Sequence, residues 1–131
     1  MKTSSAFQLI AGSFAGALAV AGGAFGAHAL QDGLSPDRFD TYQTAMSYML
    51  VHAILLVSMS TLTLNTQTRM LGLAGILVFA GLCVFSGSLT ILVLLDFPAL
   101  GAITPIGGIL LIGGWVCLGI AGIRHWRAAA D

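Results

Sequence analysis

The sequence predicts an all-α membrane protein: one domain over residues 1–131, folded as a four-helix transmembrane bundle with both termini in the cytoplasm. Three observations carry this expectation. The chain is 57% apolar and only 8% charged, with a mean hydropathy of +0.97, whereas a soluble domain carries roughly a quarter charged residues to keep its surface wet. Four long apolar stretches, about 7–30, 42–64, 70–95 and 105–123, contain no Asp, Glu, Lys or Arg. Each is close to the ~20 residues that cross a ~30 Å hydrocarbon core, and in lipid a single stretch satisfies its own backbone hydrogen bonds only as a helix.

The breaks between the stretches define the elements in order. Helix 1 ends before Gln31–Thr41, which holds Asp32, Gly33, Pro36, Asp37, Arg38 and Asp40. Its start also resembles a secretory signal, with Lys2, an apolar run and an Ala27-His28-Ala29 cleavage pattern. The run is long for a signal core, so a retained helix is the expectation. Ser35-Pro36-Asp37 reads as a helix start, with Ser as cap, Pro at the first position and an acid in the first turn. Helix 2 can therefore begin with a short interfacial turn at Pro36, placing Phe39 and Tyr42 at headgroup depth. Leu64 to Arg69 is a tight polar turn, Asp96-Phe97-Pro98 ends helix 3, and Thr104-Pro105 repeats the cap-then-proline start for helix 4.

Orientation follows from the short loops. One end holds Lys2, Arg69, Arg124 and Arg127; the other holds Arg38 among Asp32, Asp37, Asp40 and Asp96. Positive charge favours the cytoplasmic side, which puts both ends inside. The formal net charge is zero, and no basic patch or charge run suggests nucleic acid or a disordered tail.

Apolar helices gain nothing by leaving apolar lipid, so small residues that allow close approach must hold them together. Gly12, Gly16, Ala19, Gly23 and Gly26 form such a stripe on helix 1. Gly107, Gly108, Gly113, Gly114, Gly119 and Gly122, with Trp115 among them, supply helix 4, and helix 3 adds Gly72, Gly75, Gly81 and Gly87. A packed monomer and an oligomer built on a leftover stripe both fit this supply.

Polar groups inside the spans are few. Thr44, Tyr48 and His52 recur every four residues and share one face of helix 2. His52 lies near mid-span, where an unpaired polar group costs several kcal/mol, so it should face the bundle and find a partner. Tyr48, Ser86, Ser88 or a backbone carbonyl near a glycine are the candidates. An interhelical hydrogen bond is the plainer role; a proton or ligand site is the sharper one, because histidine titrates near neutral pH. The spans hold no carboxylate, which weakens the proton-carrier reading.

His28 lies some ten helical residues shallower than His52, too far for both to hold one haem. Met46, Met49 and Met59 scatter around helix 2 and read as core filling rather than a copper site. Cys83 and Cys117 read as small buried residues. Ser86-Gly87-Ser88 marks a kink or close contact on helix 3; a nucleophilic serine would need a base and an orienting acid that the spans do not supply.

Several stretches together resemble a known family. These are Gly23-Ala24-Phe25-Gly26-Ala27-His28-Ala29-Leu30, Thr44-Ala45 with Tyr48 and His52, Phe85-Ser86-Gly87-Ser88-Leu89, and Gly101-Ala102-Ile103-Thr104-Pro105-Ile106-Gly107-Gly108 with Gly114-Trp115. In that order they are similar to the YgdD/YwdK-like family of small bacterial inner-membrane proteins, a domain-of-unknown-function family. The resemblance spans about residues 11–115 and implies a four-helix inner-membrane protein. It marks His28, Tyr48, His52, Ser86, Ser88, Thr104, Pro105 and Trp115. The family often has Tyr where Thr90 stands here, so a role tied to that phenol does not carry over. His28, Thr104 and Pro105 all fall near the outer face, which suggests a shallow polar pocket between helices 1, 2 and 4.

The functional expectation is a non-enzymatic membrane component that acts by interaction, assembly or stabilisation. Its partners would be membrane lipid and either its own copies or other membrane proteins, with no cofactor and no metal. The alternative is a small transporter or channel component with a polar interface around His52, Tyr48 and Ser86.

Overall fold

A computed structural model describes residues 3–66 and 68–130. The described residues form four long helices, each apolar and long enough to cross a membrane. They are α1 (Thr3–Phe25), α2 (Pro36–Asn65), α3 (Arg69–Leu95) and α4 (Thr104–Ala130). α1 continues through Gly26–Leu30 in a wider π-helical turn, and a 3-10 turn, Pro98–Ala102, leads into α4. Lys2 and Gln67, which entered the charge count and the polar turn, lie outside the described residues.

The helices overrun the apolar stretches because capping chemistry, not hydropathy, ends a helix. α2 starts at Pro36 rather than 42, with Pro at its first turn and Asp37 beside the positive helix end. Ser35 sits at the cap position in extended backbone (φ −62°, ψ 152°), but its side chain makes no capping bond. Thr68 does cap α3, accepting from the Leu71 amide at 3.3 Å. α3 ends at Asp96, whose φ of 52° is the left-handed conformation that closes helices. The Arg38 guanidinium sits over that end, donating to the Val93 carbonyl and pairing with Asp96 at 3.3 Å. A cation at the negative end of the α3 dipole ties the start of α2 to the end of α3. α4 runs on to Ala130, carrying Arg124, His125, Trp126 and Arg127 beyond the predicted end at 123.

Neighbours in sequence are neighbours in space: α1 packs on α2, α2 on α3, and α3 on α4, with a lighter contact between α1 and α3. α4 docks on α3, and its backbone approaches neither α1 nor α2. The core is made largely of small side chains: Ala11, Ala15, Ala53 and Ala74 are buried, with Leu56, Val78, Leu82 and Leu111 between them. Small residues permit the close backbone approach that association in lipid requires.

The glycines divide sharply. A Cβ on Gly12 would lie 2.8 Å from the Ala53 carbonyl, and one on Gly26 2.6 Å from the Tyr42 ring. One on Gly81 would lie 2.8 Å from the Leu111 amide, and Gly107 and Gly114 press on Phe85 and Val78. Gly16 and Gly108 make ordinary contacts at 3.7 and 3.9 Å. Gly23 meets nothing within 4 Å, nor do Gly87, Gly119 and Gly122. The working stripe of α1 therefore runs through Gly12, Ala15, Ala19, Gly22 and Gly26, and Gly23 faces an open groove beside α2 without touching it. Tyr42 explains the lower end of that stripe: it is 3% exposed, and its hydroxyl donates to the Gly22 carbonyl at 2.7 Å.

Candidate intramembrane site

His52 is the centre of the polar arrangement. It is 5% exposed despite its mid-span depth. Its Nδ1 lies 2.8 Å from the Tyr48 carbonyl, one turn back on the same helix. Its Nε2 receives the Trp115 indole N–H from α4 at 3.2 Å. A carbonyl only accepts and an indole N–H only donates. Both bonds therefore exist together only in the neutral ring with the proton on Nδ1. The costly mid-membrane polar group is fully satisfied, half by its own backbone and half across the gap to α4.

Aromatic rings build the surroundings. Tyr48 stacks on Phe85 of α3 at 4.5 Å between centroids and on His52 at 5.8 Å, and Trp115 meets His52 edge-on at 6.3 Å. Because the α4 backbone packs on α3 and not on α2, the space between α2 and α4 stays open as a groove of about 470 Å³, walled by Tyr48, His52, Phe85 and Trp115 and floored by Gly108 and Leu111. Tyr48 is 44% exposed, and its hydroxyl makes no hydrogen bond among the described residues.

The other marked residues go elsewhere. Ser88 and Thr104 share a hydrogen bond at 2.7 Å that ties α3 to the start of α4. Each hydroxyl has one proton, so the pair finishes either on the Leu100 carbonyl (3.2 Å from Thr104) or on the Phe85 carbonyl (3.1 Å from Ser88). Thr104 thus works as an interhelical tie rather than a helix cap. Ser86 is fully buried and its hydroxyl has no partner among the described residues, while its carbonyl accepts from Thr90 at 2.7 Å. Thr44 is exposed and bonds back to the Asp40 carbonyl.

His28 is exposed on the π-helical turn. The expected outer pocket between helices 1, 2 and 4 is not formed, because α1 and α4 do not meet. Cys83 is exposed on the flank of α3 and Cys117 half-buried, so neither is the buried core thiol expected from the apolar context. Met46 and Met59 are buried and fill the core.

Two features went unread in the sequence. Gln8 is fully buried; its amide donates to the Leu71 carbonyl at 2.9 Å and accepts from Thr63 at 2.8 Å, joining α1, α2 and α3. The signal was present: Gln8 is the only amide in the 7–30 stretch, and the cost argument applied to His52 applies equally to it. Trp115 was marked for packing, yet it is the hydrogen-bond donor that satisfies His52.

The profile of the family described as "Protein of unknown function (DUF423)" matches residues 22–108. That span holds Tyr48, His52, Phe85 and Gly108 of the groove and stops short of Trp115. A UPF0382 membrane protein of Staphylococcus aureus (strain bovine RF122 / ET3-1) is 42% identical over 113 residues, covering 86% of this chain and 92% of the relative. Those of strains USA300 and NCTC 8325 / PS 47 are 43% identical over the same coverage. No solved structure matches. The chain therefore belongs to the DUF423 family and is a four-helix membrane protein.

Proposed function

We propose that the protein is a non-enzymatic component of the bacterial inner membrane, of the YgdD/YwdK-like kind, with both termini in the cytoplasm, that acts by interaction with other membrane components. The observation that carries this reading is the state of His52. Its two nitrogens are both engaged, Nδ1 by the Tyr48 carbonyl of its own helix and Nε2 by Trp115 of α4, so the residue best suited to handle protons or ligands is occupied as a structural tie. The groove beside it opens sideways between α2 and α4, which suits a docking surface in the plane of the membrane better than a path across it. Four basic residues at one end against one at the other support the orientation.

Native mass spectrometry of the protein in native lipid particles tests the reading. A companion protein at fixed stoichiometry supports it. A symmetric homo-oligomer alone, or one retaining a small polar ligand, favours the transport alternative. His52→Ala separates the two further: an interaction role predicts loss of assembly or thermal stability first, and a transport role predicts loss of flux with assembly intact.

A further inference from the structure

Two large recesses open on the flanks of the bundle, and their chemistry differs. Between α1 and α3 a recess of about 560 Å³ is walled by Phe7, Ile10, Phe14, Leu18 and Phe79. None of the residues lining it carries a side-chain hydroxyl or amide, so the acyl chains that surround any membrane protein satisfy it. The groove between α2 and α4, at about 470 Å³, lies within the ~300–1,000 Å³ of small-molecule sites. Three of the rings that line it, Tyr48, His52 and Trp115, are amphipathic, so it presents flat apolar surface together with polar atoms.

One of those polar atoms is left over. The Trp115 indole N–H donates to His52 Nε2, and His52 Nδ1 is held by the Tyr48 carbonyl. The Tyr48 hydroxyl makes no hydrogen bond among the described residues. Tyr48 lies six residues, about 9 Å, inside the charge-free stretch 42–64, where water is scarce and an unpaired hydroxyl is costly. Ser47, also on the groove wall, can turn its hydroxyl onto a carbonyl of its own helix; a phenol is too long for that. The acceptor that Tyr48 lacks therefore has to come from what enters the groove. Trp115 meets His52 edge-on and is 48% exposed, so indole surface is bare in the same groove. The floor is low, since a Cβ on Gly108 would meet only the Phe85 ring, at 3.9 Å.

These features set three requirements for the occupant. It reaches the groove from the hydrocarbon, so it is membrane-soluble. It lies against bare aromatic surface, so it is flat. It accepts a hydrogen bond at the ring edge, so it carries a carbonyl there. We infer that the α2–α4 groove is a binding site for a lipid-soluble quinone, its ring lying against Trp115, one ring carbonyl accepting from the Tyr48 hydroxyl, and its apolar tail running out sideways into the bilayer. The inference concerns binding only and needs no change in the bond between His52 and Trp115. It stands apart from the proposed interaction role, because it holds with or without a companion protein.

Tryptophan quenching in phosphatidylcholine vesicles tests this, in the Trp126→Phe background so that Trp115 is the only indole. The probe is decylubiquinone, a quinone with a ten-carbon tail, and decylbenzene is the competitor with a flat ring and no carbonyl. The site predicts quenching of Trp115 that saturates as the quinone fraction of the membrane rises. Tyr48→Phe keeps the ring and removes the donor, so it should raise the half-saturating fraction roughly two- to tenfold, the worth of one hydrogen bond. Decylbenzene should displace the quinone more weakly than unlabelled quinone of the same tail by a similar factor. Gly108→Leu and, separately, Ile112→Phe fill the groove and should abolish saturation; unchanged Trp115 emission before quinone is added shows that each variant is folded. Quenching that stays linear in the parent protein is random encounter in the bilayer and would overturn the inference. Saturation that survives both groove-filling changes would place the quinone elsewhere and overturn it too. Saturation indifferent to Tyr48→Phe, with decylbenzene competing as well as the quinone, would show a groove for any apolar ring and overturn the quinone assignment.

Discussion

The α1–α2–α3 unit and α4 are held by different physics. Within the first three helices, polar side chains reach across: Gln8 bonds to Leu71 and Thr63, Tyr42 to Gly22, and Arg38 to the end of α3. Between α3 and α4 the work falls on backbone contact. Gly81 faces the Leu111 amide, and Gly107 and Gly114 face Phe85 and Val78, with one hydroxyl pair, Ser88 and Thr104, near the start of α4. The polar ties have direction and fix register. The glycine seam has closeness and little else, so it fails when any one position grows. The comparison teaches that in lipid, where burial itself gives no drive, a helix can be attached by the absence of side chains.

Substitutions at the seam should have the largest effect. Gly81→Val places new atoms against the α4 backbone at Leu111 and Gly107. Overpacking of this kind costs about 1–3 kcal/mol, and here neither backbone can yield locally. Hydrogen exchange should show α4 losing protection while α1 to α3 keep theirs; uniform loss in all four helices would mean that α4 is not the separable part. Gln8→Leu comes next. It removes two interhelical bonds, each worth about 0.6 kcal/mol on average and up to ~1.7 in membrane proteins. Reversible unfolding in bicelles should show a loss of about 1–2 kcal/mol, with α1 exchanging first.

Trp115→Phe keeps the ring and removes only the donor to His52. It should cost about 0.6 kcal/mol and loosen α4 against α2 without undocking it from α3. Gly119→Ala should be the smallest change. Nothing lies near its Cβ position, so unfolding should shift by no more than ~0.5 kcal/mol. A large loss there would show that this face is covered by something the four helices do not supply.

Much of the fold was legible because the bilayer imposes it: span number, turn positions and helix starts follow from charge depletion, Pro36 and Asp96. The helix ends were less so, since hydropathy marks where lipid stops and not where helical hydrogen bonding stops. Arg124 to Ala130 therefore continue α4 through a polar region. Packing was half legible. The buried positions of α4, Thr104, Gly107, Leu111, Gly114 and Ala121, repeat every seven residues or at steps of three and four, the seam of a coiled pair. That period selects Gly107 and Gly114 over Gly119 and Gly122, and the count of glycines alone does not.

At the site, depth alone singled out His52 and required a partner for it. The partner itself was hidden, because Trp115 is 63 residues away in sequence and a tryptophan at a membrane interface or in a core looks the same until the helices are placed. His28 shows the opposite error. It shares one end of the bundle with Thr104 in any four-span topology, but end-sharing says nothing about adjacency, and α1 and α4 lie apart.

The central claim is that His52 is a neutral structural tie between α2 and α4, and nitrogen-15 NMR of the histidine ring in lipid tests it most directly. At neutral pH the bonds to Tyr48 and Trp115 require a proton on Nδ1 and a bare, accepting Nε2, and Trp115→Phe should shift the Nε2 resonance. A proton on Nε2, or a doubly protonated ring, would contradict the account and return His52 to the role of a group that exchanges protons or binds a ligand.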